Sequence, residues 1–354
     1  MTIIIIVFRQ RYYTTQREGR FMKSPKVLFV GGKSILKELC GSLAQEDVIF
    51  LEEGTRTSGL WRKHWSKLKF VIIESSFLDD ETLTFVSEFH HKNLRTSMYP
   101  YVVLVTDDPS PEFTNAALSA GVDNIISDLR DTQALLLLLK DDSKADLNSY
   151  VQMTMKMMQD KDLSTFLHSV NVSKLSLALS TLYFLSEKKI GTLFNYHLKI
   201  ASCLHDIGKL LIPEVILRKP SRLTEDEFSI MKRHTVLGSN LFEKILEYDK
   251  KNMVFSTCVE VCRYHHEKFD GNGYPEGLKA NQIPLSARIV AIADVFDALT
   301  SNRCYRGAYS FEKAIEIMQT EEKVRFDPYL LQLFLENVEL FRSLKHGEES
   351  DQFF

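Results

Sequence analysis

The sequence predicts an α/β domain followed by a second domain built from helices, and three observations support this division. Between residues 26 and 140, short runs of Val, Ile and Leu alternate with stretches of helical spacing. Residues 141–160 are first polar and charged and then rich in Met, which is typical of a linker that continues as a helix. From residue 161 onward, apolar residues recur at three- and four-residue intervals almost without a break.

The first domain is expected to contain a parallel β-sheet. Its apolar runs cover residues 26–30, 70–73, 101–105 and 124–126. Strands of a parallel sheet are covered by helices on both faces, so they form continuous apolar runs without alternating polar residues. The alternation of strands and helices therefore predicts a doubly wound α/β fold for residues 22–140.

This segment resembles a response-regulator receiver domain that lacks the receiver's signature residues. Gly31-Gly32 replace the acidic pair, Glu74 stands at the phospho-accepting Asp, and Asp128 replaces the Lys, while Thr106 matches the switch hydroxyl. Two glycines cannot bind a magnesium ion. The resemblance implies a receiver-like domain that is not phosphorylated but contacts a protein partner or positions the second domain. A generic α/β domain without a regulatory role is the alternative.

Composition excludes several functional classes. The formal net charge of -3 and the absence of a basic block disfavour binding to a nucleic acid polymer. No apolar stretch is long enough to cross a bilayer, and residues 1–21 lack the features of a signal peptide. We expect those residues to be an extension without stable structure. The five cysteines are odd in number and form no C-x-x-C, which favours free thiols and a cytoplasmic protein.

Residues able to bind metal ions are concentrated in the second domain around the adjacent pair His205-Asp206. A carboxylate can bridge two neighbouring ions, whereas a neutral imidazole binds one. Further candidate ligands are His168, His234, His265, His266 and Asp294. Each histidine alone could be an ordinary partly buried side chain. Asp294 lies in a very apolar helical stretch, where a carboxylate needs a nearby cation or strong donors.

The ligand types indicate a hydrolytic metal site. No cysteine is placed with these residues, so the ligands are nitrogen and oxygen atoms. That set favours iron, manganese, magnesium or zinc in hydrolysis over a structural zinc. There are enough ligands for two ions, and such a pair can act on both oxygens of a phosphoryl displacement.

From about residue 161 to 335 the chain resembles the HD-GYP domain, a branch of the HD phosphohydrolases that cleaves cyclic di-GMP. The blocks that carry this resemblance cover residues 205–217, 234–238, 265–278 and 283–301. They are long, occur in the order of the family, and extend over about half of the chain. The resemblance implies a helical HD domain over residues 161–340, preceded by a linker helix at 141–160 and followed by a tail at 341–354.

The resemblance also implies the role of each site residue. The metal ligands would be His168, His205, Asp206, His234, His265, His266 and Asp294, with Asp206 bridging two divalent ions. Iron is expected, with manganese as the alternative. Asp206 and Lys209 would be catalytic, with Lys209 donating to a phosphate oxygen or protonating the leaving group. Tyr274, Arg303, Arg306 and Lys209 would contact cyclic di-GMP. It would be cleaved to pGpG, either as the final product or as an intermediate on the way to GMP.

Three departures from the family pattern leave alternatives open. Ser164 stands where members with a third ion have Glu, which favours two ions. Asn171 replaces the Arg of the His-x-x-Arg-Val segment, and Cys304 replaces a Pro. One alternative is a catalytically weak or inactive module that senses a cyclic dinucleotide or serves as a protein-interaction scaffold. Another is a phosphohydrolase that acts on a different cyclic dinucleotide.

Overall fold

The computed structural model divides the chain into two compact units. The described residues are 27–30, 68, 70–75, 86–87, 100–106, 109–127, 144–187, 189, 191–302, 307–320 and 323–346. The boundary lies between Tyr150 and Val151, and Ile190–Leu193 belong to the first unit. The predicted extension at residues 1–21 lies outside the described residues.

The first unit contains a four-stranded parallel sheet. Its strands are β1 (Val27–Val30), β2 (Phe70–Glu74), β3 (Tyr101–Val105) and β4 (Asn124–Ile126), paired in the order β1-β2-β3-β4. Every pairing is parallel, with Phe70 opposite Tyr101. β3 is buried along its whole length, as its continuous apolar sequence predicts. Helix α1 (Pro111–Ser119) lies between β3 and β4 in the chain.

The structure describes only some of the residues that bear on the receiver resemblance. Glu74 is the last residue of β2. Thr106 follows β3, is buried, and donates its backbone N–H to the carbonyl of Ile126 at 2.9 Å. Gly31, Gly32 and Asp128 lie outside the described residues. The receiver-like, doubly wound fold therefore stays a prediction.

The rest of the described chain is mostly helical, as the apolar spacing predicts. The helices are α2 (Lys144–Lys161), α3 (Leu163–Ser186), α4 (Thr192–Cys203), α5 (Glu214–Leu217), α6 (Glu225–Lys232), α7 (His234–Tyr248), α8 (Met253–Tyr264), α9 (Leu285–Thr300), α10 (Phe311–Thr320), α11 (Pro328–Glu336) and α12 (Val338–His346). Short 3₁₀ segments cover Ile207–Leu211, Ala280–Gln282 and Lys323–Arg325. The end of α12 lies beyond residue 340, where the sequence predicts a tail to begin.

Polar side chains set the beginnings of several helices. The Asp162 carboxylate accepts the backbone N–H of Ser164 at the start of α3, and Asn252 does the same for Phe255 at the start of α8. Thr224 forms a reciprocal capping box with Glu227 at the start of α6. These caps satisfy backbone donors that have no partner within the helix, so they fix where each helix begins.

Helices α3 and α9 pack against each other and carry much of the core of the second unit. Every residue of α9 from Ser286 to Asp297 is buried except Arg288, and most of α3 after Val170 is also buried. Helices so apolar are surrounded by protein, so ionisable side chains within them must find partners there. Along the described part of the chain, none of the helices combines the length and apolar character that crossing a bilayer requires.

Candidate metal centre

A glycine brings the His205-Asp206 pair against the start of α7. Both residues are buried at the junction between α4 and the 3₁₀ segment that begins at Ile207. A Cβ atom on Gly208 would lie only 1.9 Å from the carbonyl oxygen of His234. Only glycine leaves room for this contact. This close approach of Gly208 to α7 places Oδ1 of Asp206 3.2 Å from Nε2 of His234.

Three histidines of the site hold their rings in the same way, through a bond from Nδ1 to a backbone carbonyl. The Nδ1 atoms of His205, His234 and His265 lie 2.8, 2.7 and 2.8 Å from the carbonyl oxygens of Ser202, Met231 and Val261. A carbonyl oxygen can only accept, so Nδ1 is the donor in each pair. In the neutral ring Nε2 then has a free lone pair, which is the arrangement of a metal-binding histidine.

These Nε2 atoms converge on the carboxylate of Asp206. Oδ2 lies 3.2 Å from Nε2 of His205, while Oδ1 lies 3.2 Å from Nε2 of His234 and 3.9 Å from that of His265. The Nε2 atoms of His234 and His265 are 3.4 Å apart. Two facing lone pairs repel each other unless a cation or a proton lies between them. The geometry therefore suits a bound cation.

Buried polar atoms without a hydrogen bond point to the same conclusion. Within the described residues, Nε2 of His205, Oδ1 of Asp206 and Nδ1 of His266 are buried and make no hydrogen bond. Leaving such atoms unpaired costs roughly 1–3 kcal/mol each, and more when they are charged. A metal ion would bind their lone pairs, so the residues present fit the metal that the fold implies.

All seven predicted metal ligands lie in one cluster. They form three overlapping groups, in each of which the ligand atoms lie within 4.8 Å of one another. The first group is His234, His265 and His266; the second is His168, His205 and Asp294; the third is His205, Asp206 and His265. Asp294 joins the groups, since its Oδ1 lies 3.0 Å from Nε2 of His168 and its Oδ2 3.8 Å from Nδ1 of His266.

The electrostatics of the cluster favour neutral imidazoles and charged carboxylates. Burial lowers the pKa of His265 to about 3, and it also lowers the pKa values of His234 and His266. Burial opposes ionisation of Asp206, but Lys209, His205 and His234 together outweigh it and hold the pKa of this carboxyl well below its usual range. Metal ligands must be deprotonated, so these are the states that bind a cation.

His168 differs from the other histidines because carboxylates flank both ring nitrogens. Its Nδ1 lies 2.6 Å from Oδ2 of Asp297, and its Nε2 faces Asp294. Burial alone would lower the pKa of His168, but the hydrogen bonds to Asp294 and Asp297 raise it to about 9. In the absence of a metal ion, the His168 ring is therefore protonated.

The predicted catalytic and substrate-binding residues are only partly described. Nζ of Lys209 donates to Oδ2 of Asp206, and the Lys209 side chain is 20% exposed, so it can also contact a ligand. The ring of Tyr274 lies beside His266, with 4.9 Å between the ring centroids. Arg303 and Arg306 lie outside the described residues, so their assignment as substrate contacts stays a prediction.

Glu267 holds the loop that carries Tyr274. Its buried carboxylate accepts the backbone N–H groups of Glu276, Gly277 and Leu278 at 2.7, 3.1 and 3.0 Å. The loop also packs closely, since a Cβ atom on Gly273 would lie 2.3 Å from the backbone nitrogen of Lys268. Charge-assisted hydrogen bonds of this kind are among the strong ones. They hold Tyr274 next to the metal cluster.

Two residues that support the site, Asp297 and Glu267, were not predicted from the sequence. Asp297 supports His168, and its spacing of three residues from Asp294 in one apolar helix is a signal that could have identified it. Glu267 follows the His265-His266 pair directly, and no sequence pattern distinguishes it from an ordinary surface glutamate.

Residues 152–330 match the protein-family model described as an HD domain. The chain belongs to the HD domain family. The "Probable cyclic di-GMP phosphodiesterase" of Vibrio cholerae serotype O1 is 42% identical over 171 residues, covering 48% of this chain and 38% of the relative. A 3'3'-cGAMP-specific phosphodiesterase of the same organism is 35% identical over 188 residues, covering 53% of this chain and 34% of the relative.

A third relative is the cyclic di-GMP phosphodiesterase response regulator RpfG of Xanthomonas campestris pv. campestris. It is 41% identical over 144 residues, which cover 41% of this chain and 35% of the relative. The chain thus spans between a third and two-fifths of the length of these three relatives. The match to the HD domain and the names of these relatives confirm the predicted HD-GYP resemblance.

Proposed function

We propose that this HD domain is a metal-dependent phosphodiesterase that hydrolyses cyclic di-GMP to linear pGpG and, in a second step, to GMP. The observation that carries the proposal is the convergence of five imidazoles and two carboxylates. Three of their buried atoms, Nε2 of His205, Oδ1 of Asp206 and Nδ1 of His266, make no hydrogen bond. Relatives that share about half of this chain are named as phosphodiesterases of cyclic dinucleotides.

The ligand groups favour two metal ions. His168, His205 and Asp294 would hold one ion, and His234, His265 and His266 the other. Asp206 would bridge them, because its two oxygens lie 3.2 Å from Nε2 of His205 and 3.2 Å from Nε2 of His234 respectively. Iron is our first expectation and manganese the second. When bound, such a pair supplies a nucleophile at neutral pH and stabilises charge on the entering and leaving oxygens.

The protein's own groups would bind and orient the phosphodiester. Lys209 lies beside Asp206 and is partly exposed, so its ammonium can donate to a phosphate oxygen and give a proton to the leaving oxygen. Tyr274 borders the cluster at His266, in a loop that Glu267 keeps in place. We also expect Arg303 and Arg306 to contact phosphate, since guanidinium groups match phosphate oxygens with two parallel hydrogen bonds.

A second candidate substrate follows from the relatives. One of them is named for specificity toward 3'3'-cGAMP, and it is nearly as similar to this chain as those named for cyclic di-GMP. The two dinucleotides share the phosphodiester ring and differ in one base. The metal cluster would act on either, so the groups that read the bases would decide between them.

The test is hydrolysis by the purified chain loaded with iron or manganese. Cyclic di-GMP and 3'3'-cGAMP are incubated separately, and the products are resolved by chromatography. We expect linear products from the wild type and none from Asp206→Ala. The matched control is Asp160→Ala, which removes a carboxylate that is 64% exposed and pairs with Lys156 on α2.

Two results would contradict the proposal. A chain with full metal occupancy that leaves both dinucleotides intact is not a phosphodiesterase for them. Tight binding of either dinucleotide without turnover would favour the alternative of a sensor or interaction module. The predicted domain limits and the protein partner of the receiver-like segment are further proposals that this assay does not address.

A further inference from the structure

The buried carboxylate of Asp297 has a positively charged partner on the last helix of the described chain. Nζ of Lys345, near the end of α12, lies 2.6 Å from Oδ1 of Asp297 and 3.1 Å from Oγ of Ser301. The Lys345 side chain is 12% exposed, whereas Asp297 is fully buried. Lys345 lies beyond residue 330, where the match to the HD domain ends.

Asp297 connects Lys345 to the candidate metal centre through His168. Oδ2 of Asp297 accepts the hydrogen bond of Nδ1 of His168 at 2.6 Å, on the opposite side of the ring from Asp294. A hydrogen bond at one ring nitrogen sets the tautomer and the orientation of the ring, and so directs the other nitrogen toward the metal. Asp297 therefore determines how His168 presents Nε2 to the metal centre.

The position of Asp297 creates a need for positive charge. Asp294 and Asp297 lie three residues apart in α9, so both carboxylates face the single imidazole of His168. A buried carboxylate is costly unless it is paired and hydrogen-bonded. When His168 gives its Nε2 lone pair to a metal, its ring is neutral, and Asp297 then needs a cation from elsewhere.

Apart from His168, the donors to Asp297 from α3 and from the residue that follows α9 are neutral. The amide of Asn171 donates to Oδ1 at 3.2 Å, and the hydroxyl of Ser301 donates to Oδ2 at 3.2 Å. Asn171 stands where the resembling family has an arginine, so the charge of that position is missing here. Lys345 brings a full positive charge to the same oxygen that Asn171 contacts.

We infer that Lys345 is a positioning residue of the metal centre, which supplies from α12 the cation that Asn171 does not provide to Asp297. Its ammonium holds the Asp297 carboxylate in place, and the carboxylate in turn orients His168 toward the metal. This inference rests on the metal centre proposed above. It assigns a function to a helix that lies outside the matched HD domain.

The test measures metal binding rather than hydrolysis. Manganese is titrated into metal-free wild type, Lys345→Met and Lys345→Arg, and affinity and stoichiometry are read by calorimetry. Removing a group bonded to a metal-binding histidine costs about 10- to 100-fold in metal affinity. Lys345 acts one contact further away, through Asp297, so we expect a loss at the lower end, about tenfold, for Lys345→Met. Lys345→Arg should keep most of the affinity. Arg342→Met is the matched control, since it removes a cation of the same helix that pairs with Glu312 and Glu339 instead.

Restoring the positive charge beside Asp297 from α3, at position 171, tests the inference more specifically. The double variant Asn171→Arg with Lys345→Met places a guanidinium next to Asp297, and we expect its metal affinity to return toward that of the wild type. Unchanged affinity in Lys345→Met, an equal loss in Arg342→Met, or no recovery in the double variant would each overturn the inference. Thermal melts of the metal-free proteins check folding, and Lys345→Gln replaces Lys345→Met if the latter is unfolded. A chain that binds manganese in this pattern but hydrolyses no cyclic dinucleotide would refute the proposed function and leave the role of Lys345 intact.

Discussion

Replacing Gly208 by Ala tests whether close backbone contact assembles the metal cluster. The added Cβ atom would lie 1.9 Å from the carbonyl oxygen of His234 and 2.7 Å from the backbone nitrogen of Gly238. Both neighbours are backbone atoms of α7, so no side chain can rotate away. The two segments would have to separate by about 1.5 Å to reach the 3.4 Å of ordinary van der Waals contact.

The size of the effect follows from that displacement. Forcing extra atoms into a packed interior costs about 1–3 kcal/mol, and we expect the upper end because the backbone itself must move. At roughly 2–4 °C for each kcal/mol in a unit of this size, the melting temperature should fall by about 6–12 °C. Asp206 would also move away from His234, now 3.2 Å away, whereas metal sites tolerate deviations of only about 0.2 Å. We therefore expect metal affinity to fall by at least about tenfold.

The assay combines thermal melts of the metal-free protein with manganese titration of Gly208→Ala and a matched control. Gly307→Ala is that control, because a Cβ atom on Gly307 would meet nothing within 4 Å. A Gly208→Ala protein that melts and binds manganese like the wild type would refute the reasoning. So would equal losses in the two variants, since only Gly208 contacts the start of α7.

Three further predictions concern the loop, the titrating groups and a helix cap. Glu267→Gln should loosen the Tyr274 loop, raising KM for the dinucleotide several-fold and increasing proteolysis there, while metal stoichiometry stays unchanged. Melts of metal-free protein should show stability falling as pH drops from about 6.5 to 3, because the unfolded chain binds the proton that buried His265 excludes. His168 acts oppositely, since its raised pKa adds stability that is present below pH 6.5 and lost as the pH rises through about 9. Thr224→Ala removes an N-cap and should cost about 1 kcal/mol without changing metal binding.

Each of these predictions has an outcome that contradicts it. Wild-type KM and protease resistance in Glu267→Gln would show that the loop holds its position without the carboxylate. An acid slope in His265→Gln as steep as that of the wild type, or an alkaline slope that persists in His168→Gln, would assign the pH dependence to other groups. A loss of manganese from Thr224→Ala would show that the cap of α6 supports the metal cluster.

The elements that sequence alone determines are those governed by local spacing. The four apolar runs of the first domain correspond to β1 to β4, because strands buried on both faces need continuous apolar residues. The helical spacing after residue 161 corresponds to α3 and the helices that follow it, because apolar residues three and four positions apart form one buried face of a helix. The identity and order of the candidate ligands were also visible, since the blocks around them are long and lie in the family's order.

Only the tertiary structure decided how these ligands are supported. Asp297 and His168 are 129 residues apart in the sequence, and Lys345 and Asp297 are 48 residues apart. Both pairs come into contact through the packing of helices, which no local pattern specifies. The carbonyl groups that orient the other imidazoles are backbone atoms, which every residue carries, so no residue identity marks them. Local spacing shows which side chains a helix turns inward. Which of them meet depends on long-range packing, and here that packing places a lysine from the last described helix beside the carboxylate that supports His168.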